Sequence, residues 1–542
     1  MTAGEMMLNL WQFLSDRQDG GLVLFGTAVT IFAVVALLTK LCVDVYCQWA
    51  PRLGLVDKPD VSRKLHEKPV PVGGGIVIFC VTSLMIFGIA LLLARSTDHP
   101  LLAVNALFPL LFAATILVGV GLLDDKRGMS GKTKLSFQIL VASIVIFHAG
   151  AYSEVVAFGM TFHLGHLFYP LGIFWLVGMM NSVNLLDGAD GVATTAGFFM
   201  TVTAGIIALI HGYTLLFLVA LIFSAALSGF FLCNRPPAKV YLGDTGSMLI
   251  GFLAGVLLMR ACATENFAIN IVPPLAVALI PVLDSVFAVM RRINSGRSIF
   301  TPDRGHIHHR LQEKFGKGYR VLGILSLLML PGCVAAIAGV AWSNDWIPLF
   351  AVMLLVVIAA VTRVFGREEL KLVVHRMANR FKKRFHVKSY NSNSGEVFHF
   401  QGTGPWRELW EDFISTLKVM GCVKAHLDIN MPFMHEDYSS DWENPDLQGK
   451  TVIPLSCSLP LTFEKRQIGK LSITFDNGVG TAMDLLQQAN ELNAICAKYI
   501  DDFIQKKNDS ETPPAFREQE EKREQGEKDE ESKEFVFSRH AF

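Results

Sequence analysis

The sequence predicts an all-α polytopic membrane protein of about eleven transmembrane helices, followed by a small cytoplasmic α+β domain and a disordered charged tail. Three observations carry this prediction. Of the 542 residues, 51% are apolar and 18% charged, against about 25% charged in a soluble domain, and mean hydropathy is +0.41. Apolar runs matching the ~20 helical residues that cross a ~30 Å hydrocarbon core recur up to residue 365 and then stop. Lysine and arginine fall on one side of those runs. Nineteen lie in the loops 44–72, 124–134, 187–191, 234–245 and 291–320, whereas the opposite side holds only Arg17, Arg95 and Arg260.

Taken in order, the expected spans are 21–43, 73–94, 101–123, 135–152, 168–186, 192–211, 213–233, 246–264, 268–290, 321–341 and 346–365. The first 20 residues lack a basic region and the run that follows is too long for a signal peptide, so residues 1–20 are expected to be an extracytoplasmic N-terminus. The positive-inside rule places the basic loops in the cytoplasm, and an odd number of spans puts the C-terminus there too. The expected location is therefore the cytoplasmic (inner) cell membrane, multi-pass, with residues 21–365 as the membrane domain.

Residues 366–396 alternate basic positions such as Arg367, Lys371 and Arg376 with Leu370, Val373 and Met377. This pattern fits an interfacial helix drawn to anionic headgroups, or a solvated helix between domains. Residues 397–507 hold an amphipathic helix around Trp406 to Val419, strand-like runs at 422–429, 451–456 and 466–475, and a helix from about 480 to 505. That order loosely resembles a GAF-type sensory domain. Residues 508–542 are charged, low in complexity and expected to be disordered.

Composition also excludes. Forty-eight basic and 48 acidic residues leave no net charge and speak against nucleic-acid binding. Nine scattered cysteines without a Cys-x-x-Cys pair indicate neither a disulfide framework nor a cysteine zinc site.

Polar residues cluster instead at the mouths of successive helices, on the side expected to be cytoplasmic. Polar groups at membrane depth are costly unless they serve a site. In RKLHEKPVPVGGG (63–75), Gly73, Gly74 and Gly75 open a helix, where they can let backbone amides approach a phosphate or let helices pack closely. Asp124 and Asp125 end an apolar helix in LLDDKRGMSGKTKL, and adjacent carboxylates need a divalent metal or a lysine such as Lys132 or Lys134 to stay ionised. In NSVNLLDGADG, Asn181, Asn184, Asp187 and Asp190 recur every three residues, which on a helix gives one slowly rotating stripe. NRPPAKVYLGDTGS brings Asn234, Lys239, Tyr241 and Asp244 into a short link before Gly246 and Ser247; a lone carboxylate there suits Mg²⁺, and an aromatic ring could stack on a base or anchor at the interface. The last cluster, residues 291–311, carries Arg291, Arg292, Arg297, Arg304, His306, His308 and His309. Without cysteine partners, that mixture fits an anionic diphosphate better than zinc.

In order and spacing these motifs resemble the polyprenyl-phosphate N-acetylhexosamine-1-phosphate transferases of glycosyltransferase family 4, over about residues 20–365. The resemblance implies transfer of a sugar 1-phosphate from a UDP-sugar to undecaprenyl phosphate, release of UMP, and a need for Mg²⁺, or Mn²⁺ in its place. The product would start lipid-linked cell-envelope glycans such as lipopolysaccharide or teichoic acid. By position, Asp124, Asp125 and Asp187 take catalytic roles, and Asp244 with Asn184 the metal. Lys68, Asp190, Asn234 and Tyr241 fall around the uridine, with Tyr241 standing where phenylalanine is common. The GHIHHRL loop is similar to that of the N-acetylglucosamine branch, so Arg304, His306 and His308 would meet the sugar or diphosphate. Expected partners are UDP-N-acetylhexosamine, undecaprenyl phosphate and membrane lipid, with a homodimer and an unknown ligand or protein at the C-terminal domain left open. A multi-pass transporter, or a lipid-binding or sensor protein on the same scaffold, is the alternative.

Overall fold

The computed structural model describes residues 18–57, 69–96, 100–148, 154–264, 268–294, 305–316, 318–362, 397–401, 406–431, 436–447, 454–463, 466–476 and isolated helical positions between 487 and 500. Of the sequence-based expectations, the N-terminal segment up to residue 17, Lys68, Arg304, the linker 366–396 and the tail 508–542 lie outside the described residues. The chain divides into two compact units, Met1–Ala378 and Asn379–Phe542.

The first unit is helical because hydrocarbon offers backbone groups no water to bond, and a helix satisfies them within one segment. Its helices are α1 (Gln18–Leu53), α2 (Gly75–Ser96), α3 (Pro100–Arg127), α4 (Gly131–His148), α5 (Phe168–Leu186), α6 (Val192–Ile210), α7 (Thr214–Asn234), α8 (Gly243–Ala261), α9 (Val272–Val277), α10 (Leu279–Asn294), α11 (Ile307–Phe315), α12 (Tyr319–Ala341) and α13 (Trp346–Thr362). Among the described residues seven are long and apolar enough to cross a membrane, with shorter apolar helices at Gly75–Gly88 and Trp346–Ile358. The chain is a polytopic membrane protein, and large apolar side chains such as Leu37, Phe174, Leu327 and Val361 point outward where lipid would lie.

At the centre stands α8, buried from Thr245 to Ala261 except at Arg260. Its first turn crosses α2 so closely that a Cβ on Gly75 would fall onto the backbone of Gly246. Gly74 and Gly75 of the first cluster therefore serve helix packing, since Gly74 likewise abuts the Phe230 ring.

The first helix runs on to Leu53, past the expected end at 43, and two further departures shape the fold. The run 268–290 is not one helix: Ala268–Asn270 forms a strand, and α9 ends at Val277 before α10 begins at Leu279. Pro281 has no N–H to offer the Val277 carbonyl, which breaks the ladder there. The loops near 160 and 265, expected to be plain connections, build a three-stranded sheet of β3 (Glu154–Ala157), β4 (Met160–His163) and β5 (Ala268–Asn270), in the order β4-β3-β5. Asp345 ties it to the 343 loop, accepting hydrogen bonds from the Phe158 amide and the Asn270 side chain, each at 2.7 Å. The remaining strands of this unit, β1 (Val56–Asp57) and β2 (Val70–Pro71), pair antiparallel.

The second unit packs α14 (Trp406–Val419) on an antiparallel five-stranded sheet, ordered β6-β8-β7-β10-β9. Its strands are β6 (Val397–Gln401), β7 (Cys422–Met431), β8 (Glu436–Glu443), β9 (Pro454–Phe463) and β10 (Arg466–Asp476). Trp406, Trp410, Phe413 and Leu417 recur at helical spacing and meet Leu427, Ile429, Leu471 and Ile473 in one core. The strands β6 and β8 are absent from the sequence reading. In EDYSSDWE the period of two is concealed, because Ser440 occupies the buried row between Tyr438 and Trp442.

Candidate active site

Asp124 and Asp125 close the last turn of α3, and Lys134 stands in the first turn of α4. The chain reverses at Gly128, and there Asp124 Oδ1 accepts the Met129 N–H at 2.7 Å. The Lys134 ammonium then pairs with both Asp124 and Asp244, the latter at 2.8 Å. Lysine is thus the protein's own answer to the crowded carboxylates.

Asp125 has a different task. The residue before α8, Leu242, offers no side-chain cap, and a helix start leaves amides unpaired. Asp125 Oδ1 accepts the Asp244 N–H at 2.7 Å, while Oδ2 accepts the Thr245 N–H at 3.2 Å and the Thr245 hydroxyl at 2.5 Å. A carboxylate from α3 caps α8, and its charge faces the positive end of the helix dipole.

The expected stripe on α5 is shorter than its spacing implied. Leu186 is the last helical residue and Asp187 is the cap, so Asn181 and Asn184 share a face while Asp187 and Asp190 sit in the turn that follows. Asn181 donates to Gln138 at 2.7 Å, and Asn184 Oδ1 accepts the Ser247 hydroxyl at 3.0 Å. Asp190 accepts the Ala238 N–H at 3.0 Å. The Asp187 carboxylate accepts no hydrogen bond among the described residues. Burial, and then the charges of Asp244, Asp125 and Asp190, push its pKa well above the usual carboxylate range.

Asn234 is 2% exposed, donating to the Val240 carbonyl and accepting the Thr194 hydroxyl, both at 2.8 Å. Its amide is spent on holding the loop that carries Tyr241, so it works within the wall and not at an open surface. Tyr241 in turn binds the first cluster through backbone: its N–H donates to the Pro71 carbonyl at 2.8 Å, and its carbonyl accepts the Gly74 N–H at 3.0 Å. Burial, helped by Asp190 and Asp57, pushes its phenol up to about 12.

The histidine loop docks on the same region. A Cβ on Gly188 would collide with the His308 ring, so that ring lies directly over the turn between Asp187 and Asp190. His306 and His308 are stacked, 5.8 Å between centroids and 2° from parallel. Beneath them is a residue that sequence reasoning passed over. Asp284, in α10 and 1% exposed, accepts from His306 Nδ1 at 3.0 Å and from the Ile307 N–H at 2.8 Å. A carboxylate inside an apolar run was the available signal.

These contacts bring Asp124, Asp125, Asn184, Asp187, Asp190, Asn234, Tyr241, Asp244, His306 and His308 to one end of the helical unit. Among the described residues no three histidine, cysteine or acidic side chains form a ready-made metal cage. The donors are mostly oxygens, and Asp187 accepts no hydrogen bond among the described residues. That set fits a hard cation that takes one or two carboxylates and keeps its waters, and the side-chain oxygens of Asp244 and Asn184 are donors that could hold it.

Residues 107–262 match the family model described as Glycosyl transferase family 4. The chain is 32% identical over 337 residues to a probable undecaprenyl-phosphate N-acetylglucosaminyl 1-phosphate transferase of Bacillus subtilis, covering 61% of this chain and 89% of the relative. It is 30% identical over 353 residues to the undecaprenyl-phosphate alpha-N-acetylglucosaminyl 1-phosphate transferase of Yersinia pestis, covering 64% and 92%. A decaprenyl-phosphate N-acetylglucosaminephosphotransferase of Mycobacterium tuberculosis shares 29% over 330 residues, 55% of this chain and 79% of the relative. With the capped, lysine-bridged aspartates lying inside the matched segment, the chain belongs to glycosyl transferase family 4, among the polyprenyl-phosphate N-acetylhexosamine-1-phosphate transferases.

Proposed function

We propose that the protein transfers N-acetylglucosamine 1-phosphate from UDP-N-acetylglucosamine to undecaprenyl phosphate, releasing UMP and starting a lipid-linked envelope glycan at the cytoplasmic face of the inner membrane. The observation that carries this reading is the acidic cluster at one end of a helical membrane unit, in which Lys134 bridges Asp124 and Asp244 while the Asp187 carboxylate accepts no hydrogen bond among the described residues. Such a mouth can receive a soluble nucleotide from one side and a lipid phosphate from the bilayer.

The lipid phosphate oxygen attacks the sugar-bearing phosphorus, and the bond to the UMP oxygen breaks with its electron pair leaving on UMP. Catalysis of this kind is mostly positioning and charge neutralisation. Bound Mg²⁺, held by Asp244 and Asn184, would supply charge neutralisation at the diphosphate. Asp125 accepts three bonds at the α8 start and Asp124 is engaged by Lys134 and Met129, contacts that fit a positioning role for the pair. A phosphomonoester has its second pKa near ~6 and is mostly ionised at neutral pH. The pair therefore orients, and no general base is needed.

Transfer of label from UDP-N-acetyl[³H]glucosamine into organic-extractable lipid, in membranes supplied with undecaprenyl phosphate and Mg²⁺, tests the reading. Parent protein yields labelled lipid and stoichiometric UMP, and Asp244→Asn yields neither. A folded parent that labels no lipid from any UDP-N-acetylhexosamine would move the transporter or sensor reading ahead.

A further inference from the structure

The loop that brings the histidines to the site is pinned by one buried carboxylate. Asp284 is 1% exposed and uses its two oxygens on two different groups: Oδ1 accepts the Ile307 N–H at 2.8 Å, and Oδ2 faces His306 Nδ1 at 3.0 Å. The first bond caps α11 from a neighbouring helix, in place of a cap from His306 itself, whose extended backbone (φ −67°, ψ 151°) provides no side-chain bond. The second bond has a chemical meaning. A carboxylate only accepts, so the proton lies on Nδ1 and Nε2 is the nitrogen left for another partner.

The surroundings hold the ring in that pose. Arg291, also on α10, fills the space where a Cβ of Gly305 would be, so the residue before His306 must approach closely. On its other side His306 stacks on His308, which lies over Gly188 between Asp187 and Asp190. Asp284, His306 and His308 thus form a continuous path from helix α10 to the acidic turn.

We propose that Asp284 is a positioning residue for the transfer reaction, holding His306 as the Nδ1–H tautomer so that Nε2 serves the sugar or diphosphate of the donor. This rests on the function proposed above. It assigns the Nδ1 side of His306 to the scaffold and makes a residue outside every motif of the sequence part of the substrate site's support.

The test uses full-length protein in lipid nanodiscs and compares the parent with Asp284→Asn, His306→Gln and the double variant. An asparagine keeps an oxygen for the Ile307 amide but presents an NH₂ group to Nδ1, so it separates loop anchoring from tautomer control. The transfer kcat/KM of Asp284→Asn falls about 10–100-fold, and the double variant is no slower than His306→Gln alone, because Asp284 acts through His306. Parent-like kcat/KM in Asp284→Asn, or losses that multiply in the double variant, would overturn the proposal. A second readout needs no turnover: ¹⁵N spectra of histidine-labelled parent, with His306 assigned by its disappearance in His306→Gln, show a protonated Nδ1 and an unprotonated, acceptor-type Nε2. The opposite tautomer would overturn the proposal even if Asp284→Asn fails to fold. A parent that transfers nothing would defeat the functional reading alone, and the spectra would still decide the tautomer.

Discussion

At the scale of single residues, the site separates carboxylates by what they already hold. Asp187 accepts no hydrogen bond among the described residues, and its pKa is raised by burial and by three neighbouring acids. A raised carboxyl pKa means the folded protein keeps its proton to a higher pH than the unfolded chain, so above the unfolded pKa near ~3.9 stability falls as pH rises. Asp187→Asn is therefore expected to melt a few degrees above the parent at pH 7.5 in EDTA, to lose that advantage toward pH 4, and to have no measurable transfer. Thermal midpoints across pH check this, and a variant that melts below the parent at pH 7.5 refutes it. Asp125 differs in accepting three hydrogen bonds at the start of α8. Replacing it with alanine leaves the α8 amides unsatisfied and should cost about 2–3 kcal/mol, the scale of charge-assisted hydrogen bonds, along with the activity that depends on Asp244. Tyr241→Ala, which removes the ring, is expected to raise the donor KM about tenfold, the value of roughly 1–1.5 kcal/mol of aromatic contact. The clusters themselves were legible because polar groups at helix mouths stand out against apolar runs. What each carboxylate does was not legible, since Asp124 and Asp125 look alike in sequence and differ only in which helix start lies opposite.

At the scale of elements, length and hydropathy located the helices well, and proline and short strands account for the departures. Pro281 divides α9 from α10 inside what reads as one apolar run, and strands of three or four residues such as β3, β4 and β5 are too brief to give a periodic signal. Asp284 was hidden for a related reason: α10 carries one acid among apolar neighbours, and its partner His306 is 22 positions away. The contact between α2 and α8 gives an element-scale prediction. Gly75→Leu places a side chain where the Gly246 backbone lies, and overpacking of this kind costs about 1–3 kcal/mol or more. The expected result is a lower melting temperature and displaced first-turn residues of α8, read as loss of transfer out of proportion to the loss of folded protein.

At the scale of the whole molecule, the two units have separate cores. All the site residues within the described chain belong to the first. Truncation after about residue 390 should leave detectable transfer in membranes, and complete loss in a folded, inserted truncation would assign the second unit a catalytic part. The sign asymmetry of the loops makes its own prediction: a cysteine introduced at Ser130 should react with membrane-impermeant maleimide only after the cytoplasmic side is opened, and one introduced at Thr264 without opening it.

The enclosure of α8 has one more consequence. A helix with its side chains buried among protein neighbours from Thr245 onward does not register the thickness of the surrounding bilayer, whereas outer helices with lipid-facing Phe174 or Leu327 must tilt or stretch the lipid when chain length changes. Hydrophobic mismatch is absorbed at the periphery. The depth at which Asp244 sits is set by protein packing, and transfer rates in bilayers of short and long acyl chains should vary far less than the tilt of the helices that touch them.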